Sequence, residues 1–251
     1  MKAVWRGSIA FGLVNIPVKL YNAIEPKQFS FRLLCGKCKT PLKYMRFCPK
    51  CKKEVAWQDV AHGFEIRKGE WKVFTKEQLT KLKPPKSEQI ELIGFTSADH
   101  FDPILFSSNY FIVPEGKQKA YFLFRELLQN LAKVALARII LHNKEYMAII
   151  RAYKKGMLLT TLHYLYELRD INELKELEEK IAISKQEFEL GKKLVAELLI
   201  EPELSAYKDR YEEKLRELIL GKVGKEKEKE LPKPEKLLEA LKLSIKKRQE
   251  K

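Results

Sequence analysis

The pattern of apolar and polar positions divides the chain into a part that favours strands and a part that favours helices. As far as Tyr164, most apolar residues fall in short runs with strand spacing, and glycines and prolines separate the runs. A period of two is typical of strands that bury one face. Beyond Glu167, leucines recur among Glu and Lys at the three- and four-residue spacing of amphipathic helices.

Signals at the ends of these runs place the elements along the chain. Strands are predicted at residues 5–24, 55–74, 88–95, 104–113, 135–142, 146–153 and 157–164. Helices are predicted after Thr75 and at residues 119–133, 171–181, 184–200 and 205–220. Thr75 with Gln78, and Ser184 with Glu187, have the spacing of capping boxes, and Pro84-Pro85 ends the first helix. The last three strands form a meander with basic residues at its turns.

Charge is distributed unevenly along the chain and suggests the domain boundaries. The 251 residues carry a net charge of +15, to which residues 1–170 contribute +14, residues 171–220 contribute −4 and residues 221–251 contribute +5. We therefore predict a body at 1–170, a helical arm at 171–220 and a basic tail at 221–251. The tail has the composition of a linker, and residues 235–248 within it fit a short amphipathic helix.

The composition excludes two classes of protein. Because 45% of the residues are hydrophobic, the chain can bury enough apolar surface to offset the entropy of folding, which excludes wholesale disorder. No stretch approaches the roughly 18 uninterrupted apolar residues of a membrane-spanning helix, which excludes a transmembrane protein. The first residues do not resemble a signal peptide, so we expect a cytoplasmic protein.

The positive charge indicates a polyanionic partner such as DNA, RNA or an anionic membrane surface. Residues 27–53 contain nine basic residues and no acidic one, and residues 117–155 contain nine against Glu126 and Glu145. The alternative is a lysine-rich surface that serves solubility alone, but such a surface usually mixes the two signs more evenly. We favour an anion-binding role for the second stretch.

All four cysteines lie in the first basic stretch, in two CxxC motifs separated by nine residues: Cys35, Cys38, Cys48 and Cys51. Two such motifs can place four thiolates around one Zn²⁺ at Zn–S distances of about 2.3 Å. The alternatives are disulfides, which a cytoplasmic location disfavours, and a redox pair, whose CxxC motif usually occurs singly. We predict a structural zinc site, because four thiolates leave no open position for catalysis.

No motif in the sequence identifies a catalytic site. The four histidines are far apart and none has the spacing of a HExxH motif, and there is no phosphate-binding glycine loop or GxSxG elbow. His100 lies between Asp99 and Asp102, but a lone pattern of this kind in a turn is a weak signal. A binding protein is therefore favoured over an enzyme.

Four groups of residues resemble the prokaryotic Ku proteins, and they occur in the order that the family shows. They are WRGSIAFGLVNIPVKLYNA at 5–23, Asp102-Pro103 with YFIVPEG at 110–116, the meander strands at 137–164, and YKDRYEEKLRELI at 207–219. The resemblance spans about residues 4–222, and its motifs are distinctive.

The resemblance implies an α+β fold in which a β-barrel core and an extended arm of each chain form a dimeric ring around double-stranded DNA. It implies a homodimer that binds DNA ends independently of sequence, bridges or protects them, and recruits an ATP-dependent DNA ligase in non-homologous end joining. Such a protein would act at the nucleoid. Many members of the family lack the full set of four cysteines, so the zinc knuckle at 35–51 would belong to a subgroup.

A ring that accepts any DNA end must contact phosphates with Lys and Arg, because contacts to base edges would read sequence. The basic meander and its neighbours fit such a cradle. The predicted DNA-binding residues are Arg138, Arg151, Lys154, Lys155, Lys117, Lys119, Arg6 and Lys19. The competing hypotheses are a zinc-ribbon transcription or RNA-associated factor, which shares the basic charge and the four cysteines, and a zinc-dependent enzyme.

Overall fold

The computed structural model describes residues 1–25, 29–82, 88–179 and 181–221. The strands are β1 (Trp5–Phe11), β2 (Val14–Asn22), β3 (Phe47–Cys48), β4 (Lys53–Glu54), β5 (His62–Arg67), β6 (Glu70–Phe74), β7 (Gln89–Thr96), β8 (Phe106–Pro114), β9 (Val134–Leu141), β10 (Lys144–Tyr153) and β11 (Gly156–Leu162). The helices are α1 (Lys76–Lys81), α2 (Lys119–Asn130), α3 (Lys185–Glu197) and α4 (Arg210–Ile219). The predicted tail beyond residue 221, with its helix at 235–248, and Pro84-Pro85 lie outside the described residues.

Seven strands form a closed barrel in the order β1, β2, β8, β11, β10, β9 and β7. Neighbouring strands are antiparallel except β1 and β7, which pair in parallel and close the barrel. The strands predicted at 5–24, 88–95 and 104–113 are confirmed as barrel strands, and so is the meander that follows α2. Closure leaves the barrel sheet without a free edge.

The closure depends on a close approach of two backbones at Gly7. The amide of Ser8 donates a hydrogen bond of 2.8 Å to the carbonyl oxygen of Glu88, just before β7 begins. A Cβ atom at position 7 would lie 2.0 Å from that oxygen. Only glycine therefore fits at this position while β1 remains paired with β7.

The barrel interior is filled by residues at every second position of its strands, as the alternation predicts. In β2, for example, Ile16, Val18 and Leu20 point inward, and each is at most 2% exposed. The helix α2 adds Tyr121 and Phe124 to the same core. The outward positions of the strands are therefore free to carry polar and charged side chains.

The segment between β2 and β7 forms small sheets that are not part of the barrel. β3 pairs with β4, and β5 pairs with β6. The predicted capping box of α1 is confirmed, because Thr75 and Gln78 exchange side-chain to backbone hydrogen bonds. No residue of the described part of this segment is buried, and Trp71 exposes more than half of its surface. The described residues of the segment therefore form no apolar core of their own.

The described residues from 170 to 221, with residues 29 and 30, form a second compact unit. α3 confirms the helix predicted at 184–200, including the capping box of Ser184 with Glu187. α4 lies within the helix predicted at 205–220 and is capped by Asp209. Neither helix buries a residue. Across the described part of the chain, no helix is long and apolar enough to cross a membrane.

The α-helix predicted at 171–181 is wrong. The structure has two single 3₁₀ turns in this region, at Ile171–Glu173 and Lys175–Leu177. Apolar residues recur there every three positions, which is the period of a 3₁₀ helix. Glutamates at three-residue spacing add like-charge repulsion, and a short helix without a buried face is marginal in water.

Replacing Gly7 by alanine should weaken the closure of the barrel. The new Cβ would have to displace the backbone of Glu88, and we expect this overlap to lower the free energy of unfolding by about 3 kcal/mol, measured by urea denaturation. Gly94→Ala in β7 is the matched control, because a Cβ there meets no atom within 4 Å. We expect the control to change the free energy of unfolding by less than about 0.5 kcal/mol. Equal losses in the two variants would contradict the argument.

A candidate nucleic-acid interface on the barrel

Two of the predicted residues lie opposite each other at one end of the barrel, on its outer side. Arg6 of β1 is paired with Lys19 of β2, and Lys19 is also paired with Val113 of β8. The neighbours Leu20 and Ile112 are buried in the core. Because side chains alternate along a strand, Arg6 and Lys19 point outward.

The turn between β10 and β11 brings Lys154 and Lys155 to the same end of the barrel. Met157, near the start of β11, is paired with Ile112 of β8. The turn that precedes β11 therefore lies beside the end of β8 where Val113 meets Lys19. Both lysines of the turn are exposed.

An aromatic ring lies beside two of the cations near this turn. The guanidinium carbon of Arg151 lies 5.2 Å from the centre of the Tyr153 ring, and the ammonium of Lys154 lies 5.6 Å from it. Both distances are in the range of cation–π attraction. Phe111 of β8 stacks on Tyr153 with ring centres 6.0 Å apart, and Tyr21 of β2 is paired with Phe111. The Phe111 and Tyr153 rings therefore connect the outer sides of β8 and β10, and Tyr21 lies beside Phe111 on the outer side of β2.

We call this surface the basic face. Its cations are Arg6, Lys19, Lys117, Lys119, Arg151, Lys154 and Lys155, and they lie around the aromatic residues Tyr21, Phe111 and Tyr153. Lys117 lies in the turn after β8 and directly follows Gly116, whose φ is 80°. Lys119 is the first residue of α2. A cation in the first turn of a helix opposes the helix dipole, so helix stability does not explain Lys119.

The basic face includes a carboxylate that pairs with one of its cations. Oε1 of Glu115 is 2.7 Å from Nζ of Lys19. The hydrogen bond from Lys19, together with the charge of Arg6, lowers the pKa of Glu115 and keeps that carboxylate ionised. Arg6, Glu88 and Glu115 border an open cleft of about 510 Å³. The positive charge of Lys19 is therefore partly neutralised within the protein.

Arg138 is not part of the basic face. It is paired with Met147 of β10, four residues or about 14 Å along that strand from Arg151. Two carboxylates lie beside its guanidinium, Glu145 at 3.6 Å and Glu91 at 3.9 Å. The structure therefore separates Arg138 from the other seven predicted residues.

The aromatic residues of the basic face were missed by the sequence analysis. Tyr21, Phe111 and Tyr153 each occupy an ordinary position in an alternating strand. One signal was available, since Arg151 and Tyr153 are two residues apart and must share a side of β10. The contact with Phe111 could not be found in this way, because it depends on the pairing of β8 with β11.

The chemistry of the basic face is that of a phosphate-binding surface. Ammonium and guanidinium groups donate charge-assisted hydrogen bonds to phosphate oxygens. Contacts to phosphates position a nucleic acid but carry no direct information about its bases. A surface of this composition can therefore hold a duplex whatever its sequence.

The two CxxC motifs form two hairpins of the same design. Leu34 is paired with Pro41 around the first motif, and Phe47 with Glu54 around the second. In each hairpin the residue after the second cysteine is left-handed, with φ of 59° and 51°. The shared backbone conformation turns each motif back on itself, so that the two cysteines of a motif lie near each other.

The cysteine side chains interact in pairs. The thiol of Cys38 is hydrogen-bonded to Cys35, and the amide of Cys51 donates to Sγ of Cys48 at 3.4 Å. Hydrogen bonds from Thr40 lower the pKa of Cys38 to about 7, which favours the thiolate that binds metals. Each pair fits one half of a zinc site. In the described part of the chain, however, no three His, Cys, Asp or Glu side chains form a group that could hold a metal ion.

Comparison with known proteins identifies the barrel. The Ku70/Ku80 beta-barrel domain family matches residues 10–190. The non-homologous end joining protein Ku of Heliobacterium modesticaldum is 37% identical over 253 positions, covering 98% of this chain and 91% of that protein. The protein of the same name from Archaeoglobus fulgidus is 35% identical over 225 positions, 89% of each chain. The one from Symbiobacterium thermophilum is 34% identical, and this chain spans 63% of its length.

The family match and the relatives agree with the structure. The matched region contains most of the barrel and both cysteine hairpins. The relatives from Heliobacterium and Archaeoglobus are similar over most of their own length. The resemblance seen in the sequence is confirmed, and the chain belongs to the Ku family.

Proposed function

We propose that this protein is a homodimer that binds double-stranded DNA ends independently of sequence and bridges or protects them in non-homologous end joining. The observation that carries this proposal is the basic face on a barrel of the Ku family. The relatives are end-joining proteins by name, which supports the same role for this chain. The net positive charge of the body supports a polyanionic partner.

The basic face would hold the phosphates of the duplex. Lys154 and Lys155 lie at the tip of the β10–β11 hairpin, and Lys117 and Lys119 lie close to the end of β8. None of these four lysines forms an ion pair with a carboxylate of the described residues. Their charge is therefore available to a bound anion, whereas Lys19 already has Glu115 as a partner.

A second copy of the chain would complete a ring. α3 and α4 have amphipathic sequences, yet Phe188 of α3 and Leu218 and Ile219 of α4 are each more than half exposed. Apolar helix faces are normally covered by another surface, and exposed ones mark interaction sites. The segment at 171–220 carries a net charge of −4, which suits contact with protein better than contact with DNA. We assign this arm to the dimer or to the ligase contact.

The proposal includes recruitment of an ATP-dependent DNA ligase, and we assign no catalytic role to the protein itself. The arm at 171–220 and the tail at 221–251 are the proposed ligase contacts, because neither belongs to the barrel. The protein would act in the cytoplasm, at the nucleoid. Joining of a linear duplex by such a ligase, with the whole chain and with a chain ending at residue 220, measures the contribution of the tail.

We propose Zn²⁺ as a structural cofactor, with Cys35, Cys38, Cys48 and Cys51 as its ligands. The ion would cross-link the two hairpins and give a fixed shape to a segment that has no buried residue among those described. The support for zinc is the donor set, which consists of two pairs of thiols in matching hairpins. The zinc-ribbon factor is not favoured as a function, because the Ku-family match contains the hairpins together with the barrel.

Binding should require a free duplex end. A ring must be threaded, so a short linear duplex should be shifted in a gel while the same sequence closed into a circle should be neither shifted nor able to compete. The solution mass of the free protein should be twice the chain mass of 29.4 kDa. Equal affinity for the linear and circular forms would rule out threading, and a monomeric mass would rule out the dimeric ring.

Reversing two charges of the basic face should weaken DNA binding and leave the dimer intact. Arg151→Glu with Lys154→Glu should reduce the affinity for a linear duplex at least about tenfold, because phosphate attraction is replaced by repulsion. Arg67→Glu with Lys68→Glu is the matched control, since it makes the same charge change in exposed residues that belong neither to the basic face nor to the arm at 171–220, and it should leave the affinity unchanged. Unchanged affinity in the first variant would remove the β10–β11 turn from the interface.

The purified protein should contain one zinc ion per chain, measured by elemental analysis. Cys38→Ser with Cys51→Ser should lose the ion and become sensitive to protease between residues 29 and 60, while the barrel stays resistant because its core lies elsewhere. Thr40→Val is the control, because it removes a hydrogen bond to Cys38 and no proposed ligand. A protein without zinc, or a serine variant that keeps it, would contradict the assignment.

A further inference from the structure

The helix α2 carries a row of three residues that face the β10–β11 hairpin. Tyr121, Arg125 and Gln129 are spaced by four and lie along one side of the helix. The hydroxyl of Tyr121 donates to the carbonyl oxygen of Ile112 at 2.6 Å and accepts from the amide of Met157 at 3.1 Å. Burial raises the pKa of Tyr121, so its hydroxyl remains a donor. Tyr121, the first residue of the row, therefore links α2 to β8 and β11 by hydrogen bonds.

Arg125, the second residue of the row, is hydrogen-bonded to the turn between β10 and β11. Its Nε and Nη2 atoms donate to the carbonyl oxygen of Lys154 at 3.2 and 2.8 Å. Nη2 also donates to Oε1 of Gln129 at 3.0 Å, which fixes the plane of the guanidinium. These three bonds engage three of the five N–H donors of the guanidinium with acceptors of the protein.

The turn needs support from outside the hairpin. Lys154 has a φ of 48°, in the left-handed region that residues with a Cβ adopt at a cost. Short hairpin turns usually place Asn or Gly at such positions. Here two adjacent lysines occupy the turn, so strain and charge repulsion both oppose its shape. The hydrogen bonds from Arg125 hold the backbone of the strained residue.

We propose that Arg125 is a positioning residue for DNA binding. It holds the Lys154-Lys155 turn in the conformation in which both ammonium groups reach phosphates, and it does not contact the DNA itself. The inference rests on the proposed function, because it concerns the basic face. It predicts that a lysine cannot replace Arg125, since an ammonium lacks the planar fork that makes the paired hydrogen bonds.

The salt dependence of binding to a short linear duplex tests this role. Each phosphate contact contributes about 0.9 to the slope of log affinity against log salt, so Lys154→Ser with Lys155→Ser should reduce the slope by about 1.8. Arg125→Met should reduce it by the same amount. Adding Arg125→Met to the two lysine changes should reduce it no further, and Arg125→Lys should not restore it.

Lys133→Met is the matched control for the loss of one cation near α2. Lys133 donates to Oγ of Ser97 at 2.8 Å and not to the β10–β11 turn, so its removal leaves the hydrogen bonds of the turn intact. Any change that Lys133→Met makes in the salt slope should therefore add to the change caused by Lys154→Ser with Lys155→Ser. Thermal unfolding shows whether each variant is folded at the assay temperature. If Arg125→Met does not fold, Gln129→Leu replaces it in the test. This variant removes the hydrogen bond that fixes the plane of the Arg125 guanidinium, so it should reduce the salt slope by a smaller amount.

The outcomes separate this inference from the proposed function. Arg125→Met could instead reduce the slope by about 0.9, in addition to the reduction caused by the lysine changes. That result, or a normal slope in Arg125→Lys, would mean that Arg125 contacts a phosphate directly and would overturn the inference. An unchanged slope in Arg125→Met would also overturn it. A wild-type chain that does not bind linear duplex would contradict the proposed function itself.

Discussion

The closure of the barrel between β1 and β7 is the constraint on which the rest of the structure depends. The two strands pair in parallel, and their backbones approach so closely at Gly7 that no side chain fits there. Closure gives every strand an inner and an outer side, so alternate residues fill the core and the others face outward. The basic face exists because this alternation places cations of neighbouring strands on the same outer side.

The helix α2 connects the core to the basic face. Tyr121 is buried and ties the helix to β8 and β11, while Arg125, one turn further along, is bonded to the backbone of the β10–β11 turn. The same row of side chains therefore contributes to the packing of the barrel and to the shape of its most basic turn. A strained, positively charged turn needs such an anchor, because its own residues oppose the conformation that they adopt.

Much of the architecture could be predicted because its signals are local. Alternation within a strand and the capping box of Ser184 with Glu187 each involve only neighbouring residues. The hairpin around each cysteine motif is likewise local, since its paired residues are only seven positions apart. The same reasoning failed at 171–181, where the composition is typical of helices but the apolar residues recur every three positions and none of the described residues is buried. Propensity alone does not stabilise a helix that has nothing to pack against.

The sequence by itself determined which residues form most of the elements, which family the chain resembles and where along it the charge is concentrated. Only the tertiary structure decided which cations lie together. Arg6 and Lys154 are far apart in the chain yet lie at one end of the barrel, whereas Arg138, in the same meander as Lys154, lies apart beside two carboxylates. The physical reason is that alternation sets the side of a strand on which a residue lies. The hydrogen-bonded register between strands sets its neighbours, and that register involves residues distant in sequence.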